Sequence, residues 1–86
     1  ITSNRESGFG RYDVMLEPFD KSKTAYILEF KVHNPRTEAS LEETVSKALL
    51  QIDEKNYDAE LIADGFKKEQ ICHFGFAFEG KHVLIG

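Results

Sequence analysis

Cysteine occurs once, at Cys72, so no disulfide can form within the chain and no cysteine-based zinc centre can be assembled. Such sparse use of cysteine fits a reducing, cytoplasmic setting. No apolar run reaches the length of a membrane span, and no signal-peptide pattern opens the sequence. Basic residues are outnumbered, with 11 Lys and Arg against 15 Asp and Glu, a net charge of −4. That balance argues against strong nucleic-acid binding by bulk electrostatics, because phosphate contacts need Lys and Arg. It does not exclude a metal-dependent site, whose carboxylates count toward the same charge. Repeats and low-complexity tracts are absent, no Walker motif occurs, and "GFG" is too short for a phosphate loop.

What is present is enough for one small domain, 86 residues of which 41% are hydrophobic and 30% charged. The chain opens at Ile1 in mid-pattern, so residues 1–86 are expected to be a single domain cut from the C-terminal part of a longer protein.

The periodicities set out an order of elements. Residues 1–6 read as the end of a leading strand and "SGFG" as a turn. "RYDVMLE" alternates as a strand, "PFDKSK" is a loop, and residues 25–32 form the next strand. A helix starts at Ser40, which with Glu43 makes a capping box; Leu41, Val45, Ala48, Leu49 and Ile52 line one face of it. The helix weakens at Lys55-Asn56, resumes through "YDAELIAD" and ends at Gly65. "QICHFGFAF" alternates again, and a turn at Gly80-Lys81 leads to the last strand, "HVLIG". Two strands joined by a short loop form an antiparallel hairpin. The helix is long enough for a right-handed crossover that returns the next strand parallel. The expected fold is α/β, a mixed sheet of four to five strands with a crossover helix.

Centring the hairpin loop on Lys21 fixes a register. Tyr12 then faces Phe30, Val14 faces Leu28 and Leu16 faces Tyr26, six apolar or aromatic residues that read as the core side. The other side pairs Met15 with Ile27, Asp13 with Glu29 and Arg11 with Lys31. Asp13 and Glu29 would have Cβ atoms about 4.5–5.5 Å apart. Like charges that close call for a shared proton, a neighbouring cation or a bound divalent metal. Lys31 lies on the same face as Glu29, and oxygen ligands suit magnesium or manganese. Taken alone, "EFK" is as ordinary as any charged tripeptide on a solvated strand. Asp13 opposite it, with Ile27 and Met15 beside it, lifts it above decoration.

At these residues the sequence resembles a family. "GRYD", then "EFK" behind an apolar strand, resembles the PD-(D/E)XK nuclease superfamily. The longer stretch "SNRESGFGRYDVMLEP…AYILEFKV…SLEETVSKALLQIDEKNY…GFAFEGKHVLIG" looks like the nuclease-like domain at the C-terminus of bacterial AAA-ATPase-like proteins. The resemblance implies a restriction-endonuclease-like core lacking its leading helix. It implies metal-dependent hydrolysis of phosphodiesters, with DNA ahead of RNA as substrate and an ATPase domain of the same chain as partner. Asp13 and Glu29 would bind Mg2+ or Mn2+ together with the backbone carbonyl of Phe30, and Lys31 would stand beside the attacking water. Gln51 and Tyr57 match a Gln and a Tyr that relatives supply from the following helix. Relatives also use a glutamate from the helix ahead of the sheet, and Glu6 is the upstream acid here. Without that helix the resemblance leaves open whether the chain is active alone. The alternative it carries is a non-catalytic interaction module of the same fold, binding a protein or a nucleic acid.

The remaining candidates read as structural. His33, His73 and His82 lack zinc-ligand spacing, since the last turn pairs Glu79, not His73, with His82. Cys72 shares a face with Phe74, Phe76 and Phe78, which reads as a buried thiol among core phenylalanines. Gln51 borders the apolar stripe of its helix, which suits either a reach toward the sheet or a plain boundary glutamine. Tyr57 reads as a packing residue, and Arg5 and Arg11, beside the glycine turn, read either as surface residues or as phosphate contacts.

Overall fold

The computed structural model describes residues 2–6 and 11–86, the first two strand segments up to Tyr12 by their backbone alone. The "SGFG" turn lies outside the described residues. Five strands, β1 (Thr2–Glu6), β2 (Arg11–Leu16), β3 (Ala25–Val32), β4 (Ile71–Glu79) and β5 (His82–Ile85), form one sheet in the order β1-β2-β3-β4-β5. β1, β2 and β3 run antiparallel in succession, β4 joins β3 in parallel, and β5 turns back antiparallel to β4. Between β3 and β4 come α1 (Leu41–Lys55) and α2 (Tyr57–Ala63). The expected mixed α/β sheet is therefore the observed one. No helix of the described residues is long and apolar enough to cross a membrane.

The hairpin register follows the reading centred on Lys21: Arg11 lies opposite Lys31, Asp13 opposite Glu29, and Leu16 opposite Tyr26. The intervening loop is held by an Asx turn, in which the Asp20 carboxylate accepts from the Ser22 N–H at 2.9 Å and the Ser22 hydroxyl at 2.6 Å.

Local chemistry sets the helix ends. Ser40 caps α1 by accepting from the Glu43 N–H at 3.3 Å, while the Glu43 carboxylate reaches back to the Ala39 N–H at 2.8 Å rather than to Ser40 itself. α1 stops at Asn56, a left-handed residue with φ 53°. α2 ends in a Schellman motif: Gly65, at φ +110°, donates to the Ile62 carbonyl and Phe66 to that of Leu61, both at 3.1 Å.

The core lies between the sheet and the helices and contains Met15, Ala25, Ile27, Ile52, Leu61 and Phe66. Burying side chains such as Ile27, Ile52 and Leu61 contributes about 1.5–3 kcal/mol each. The covered face is the opposite of the one expected. Helices α1 and α2 sit on the face of Asp13, Met15, Ile27 and Glu29. The row of Val14, Leu28, Phe30, Phe76 and Phe78 lies on the far face, half-buried. There the phenylalanines stack on one another rather than under a helix, Phe30 on Phe76 at 4.7 Å and on Phe78 at 6.0 Å. They are not core residues, and Cys72 beside them is half-buried rather than buried.

Side-chain size explains the reversal. The covered face is smooth along β4, with Gly75 and Ala77 aligned beside Glu29 and Lys31 of β3. A Cβ on Gly75 would come within 3.0 Å of the Val45 carbonyl and 3.1 Å of Ala48 Cβ. Glycine there lets α1 settle directly on the strand; phenylalanine would hold it off.

Candidate functional site

Because α1 covers this face, the cross-strand carboxylates are buried, Asp13 to 2% exposure and Glu29 to 0%. The side chains of β2 and β3 alternate, so both acids point toward the helices. A cation meets them from α1. Lys55 Nζ lies 2.6 Å from Asp13 Oδ2 and 3.8 Å from Glu29 Oε1. The Tyr57 hydroxyl donates to the same Asp13 Oδ2 at 2.8 Å. Asn56 explains how two residues so close in sequence reach one oxygen: its left-handed backbone ends α1 after Lys55 and starts α2 at Tyr57, both heading back to the sheet. Of the three ways to relieve the acidic pair, a neighbouring cation is present in Lys55.

Lys31 is also on the covered face, but its ammonium is bound by Glu38, from the loop before α1. Glu38 is 3% exposed. Its carboxylate also accepts from the Asn34 N–H and the Thr44 hydroxyl, each at 2.8 Å, and Lys47 lies 3.6 Å away. Burial alone would raise its pKa. The hydrogen bonds from Asn34, Lys31 and Thr44 outweigh burial and hold the carboxyl down at about 2, from an ordinary 4.5. His33 Nδ1 lies 2.7 Å from the Thr44 hydroxyl.

The other sequence candidates fall as follows. Gln51 is half-buried on α1, one turn ahead of Lys55. Phe30 sends its ring to the far face, so only its backbone can contribute beside Glu29. Glu6 ends β1 opposite Arg11; its side chain, like those of Arg5 and Arg11, lies outside the described residues. Tyr57, read as packing, both packs against the core and bonds Asp13. His73 Nε2 is 2.6 Å from Asp58 Oδ1, and His82 is exposed opposite Glu79, so the histidines are dispersed as expected. Lys55 and Glu38 were missed. Lys55 stands in the same "QIDEKNY" as Gln51 and Tyr57, where the helix break was the available signal. Glu38, in a polar loop, gives none.

A sequence model of the PD-(D/E)XK nuclease superfamily matches residues 1–86. The chain belongs to that superfamily. No curated protein and no solved structure matches it. Members of the PD-(D/E)XK superfamily generally depend on divalent metals, and the mixed sheet with its crossover helix is compatible with their restriction-endonuclease-like core.

The donor set can be tested against such a metal. No three or more His, Cys, Asp or Glu side chains gather into a ligand cluster among the described residues. Asp13 and Glu29 supply carboxylate oxygens only, the donor type that magnesium takes, and magnesium commonly uses one or two carboxylates with water and substrate oxygens filling its other positions. The spot also accepts positive charge, since the Lys55 ammonium already lies within 4 Å of both acids. The residues fit a hard divalent cation.

Proposed function

We propose that this PD-(D/E)XK domain hydrolyses phosphodiester bonds of nucleic acid, DNA in preference to RNA. The observation that carries the reading is the placement of Asp13 and Glu29 in register on adjacent strands, buried on one face, with Lys31 two residues along that face. Asp13, Glu29 and the Phe30 carbonyl are the groups to hold Mg2+ or Mn2+, which when bound supplies Lewis-acid polarisation of a phosphoryl oxygen and of a water molecule. The chain's own residues do the rest. Glu38 fixes the Lys31 ammonium, so Lys31 acts as a placed cation that orients the attacking water and offsets charge developing on phosphorus. To Gln51, one turn ahead of Lys55 on α1, the proposal gives the contact with that water or with the phosphate. Attachment to an ATPase domain, a bacterial source and a cytoplasmic setting belong to the same proposal.

The test is cleavage of single-stranded, linear duplex and supercoiled DNA, and of RNA, with Mn2+ or Mg2+ at millimolar levels, comparing the protein with Asp13→Ala and Lys31→Ala. Cleavage lost in both variants supports the reading; equal cleavage in Asp13→Ala, or none by the unaltered protein, overturns it. The second reading, a non-catalytic module that binds a protein or nucleic acid, is favoured by one feature. Asp13 is bonded to Lys55 and Tyr57, and Lys31 to Glu38, a set of interactions that can hold without any ligand.

A further inference from the structure

The metal-site reading, on which this inference rests, leaves unexplained why a lysine already stands where the cation would go. Lys55 approaches the acidic pair from the last turn of α1, 2.6 Å from Asp13 and 3.8 Å from Glu29, with its side chain only 15% exposed. We propose that Lys55 is a tethered counter-cation which a divalent metal must displace, so that ammonium and metal occupy the space between Asp13 and Glu29 in turn.

Three observations carry this. First, Lys55 faces both carboxylates, so it neutralises the same two groups that a metal would bind. Second, ammonium and a divalent ion cannot share the Asp13 oxygens: both would be desolvated there, and like charges a few ångströms apart repel strongly in a buried setting. Third, the tether is built to exchange. Lys55 is the final residue of α1, it precedes the left-handed Asn56, and its long flexible stem can carry the ammonium back to solvent without moving the helix. Tyr57 remains on Asp13 Oδ2 when Lys55 leaves, keeping the carboxylate oriented. The arrangement keeps two buried acids folded without metal and sets the threshold of metal concentration above which the site loads.

The experiment is Mn2+ titration by calorimetry, with melting temperature as a second readout, on the unaltered protein, Lys55→Met and Lys47→Met. Lys47, also on α1, contacts Glu38 instead and controls for the loss of one positive charge. The expected result is that Lys55→Met binds Mn2+ at least tenfold tighter while Lys47→Met changes affinity less than twofold. Without metal Lys55→Met should melt lower than the unaltered protein, and Mn2+ should raise its melting temperature by the larger amount. Equal or weaker binding in Lys55→Met, or equal tightening in Lys47→Met, overturns displacement while leaving the metal site standing. Absence of binding in every protein overturns the metal site and displacement together. Should Lys55→Met fail to fold, the unaltered protein decides: the NMR signal of the Lys55 Cε–Nζ group must move during Mg2+ titration with the same midpoint as the Asp13 amide. A stationary Lys55 signal beside a moving Asp13 signal overturns displacement.

Discussion

Glu38 and Asp13 are both buried carboxylates that meet lysines of the helix-covered face, yet they are built differently. Glu38 has Lys31 and Lys47 around one carboxylate, with a backbone N–H and a hydroxyl besides. At Asp13 the ratio is inverted: Asp13 and Glu29 stand around Lys55. The first arrangement has its donors converging on a fixed acceptor, and it joins β3, the following loop and α1 at the start of the helix. The second gathers two carboxylates around the Lys55 ammonium at the helix end, with the Tyr57 hydroxyl also on Asp13. The difference teaches how a single covered face can hold a structural ion network beside the proposed ligand-exchange site. Both are buried; what separates them is the group at the centre, a carboxylate at Glu38 and an ammonium at Lys55.

Breaking the Glu38 network should have the largest effect. Glu38→Ala leaves the Lys31 ammonium, the Asn34 N–H and the Thr44 hydroxyl without their shared acceptor. Removing one partner of a buried pair typically costs about 3–5 kcal/mol. Urea unfolding should show a loss of that order, and a loss under about 1 kcal/mol would erase the contrast with Asp13.

A second prediction follows from acid. The folded carboxyl of Glu38 lies near 2, below its ordinary 4.5. The native state therefore binds fewer protons than the unfolded chain between those values. The stabilisation is fully present above pH 4.5 and is lost as pH falls through 2. Urea midpoints should decline across this window, and the decline should be shallower in Glu38→Gln, which has no proton to take up there. An unchanged slope would show that Glu38 is not what makes the fold acid-sensitive.

These effects concern residues of unequal visibility in the sequence. The hairpin register, the parallel return of β4, the break at Asn56 and the turn at Gly80 were legible because each depends on local spacing and turn chemistry. Asp13 opposite Glu29 followed from the register alone. The face of the sheet that is buried was not legible. Alternation divides a strand's residues into two sets without saying which set a helix covers, and hydrophobicity favoured the aromatic one. Helix approach depends instead on small residues, here Gly75 and Ala77, whose meaning emerges only when β4 is aligned beside β3. Lys55 and Glu38 depend on helix placement in the same way, so neither could be assigned to a partner before α1 was docked.

The smallest expected change in stability sharpens the comparison most. In Asp13→Asn the Tyr57 hydroxyl still has an amide oxygen to donate to, and Lys55 still has Glu29 at 3.8 Å. One of two neighbouring negative charges is gone, which offsets part of what the Lys55 bond contributed. The expected loss is within about 1 kcal/mol, well below that of a buried pair broken outright. Affinity for Mn2+ should nevertheless fall to undetectable, because the amide brings no charge and is a poor ligand for a hard cation. Urea unfolding and calorimetry on one preparation would read both quantities. A variant with near-normal stability and no metal binding places Asp13 at an exchange site, whereas a loss as large as that of Glu38→Ala would make both networks structural.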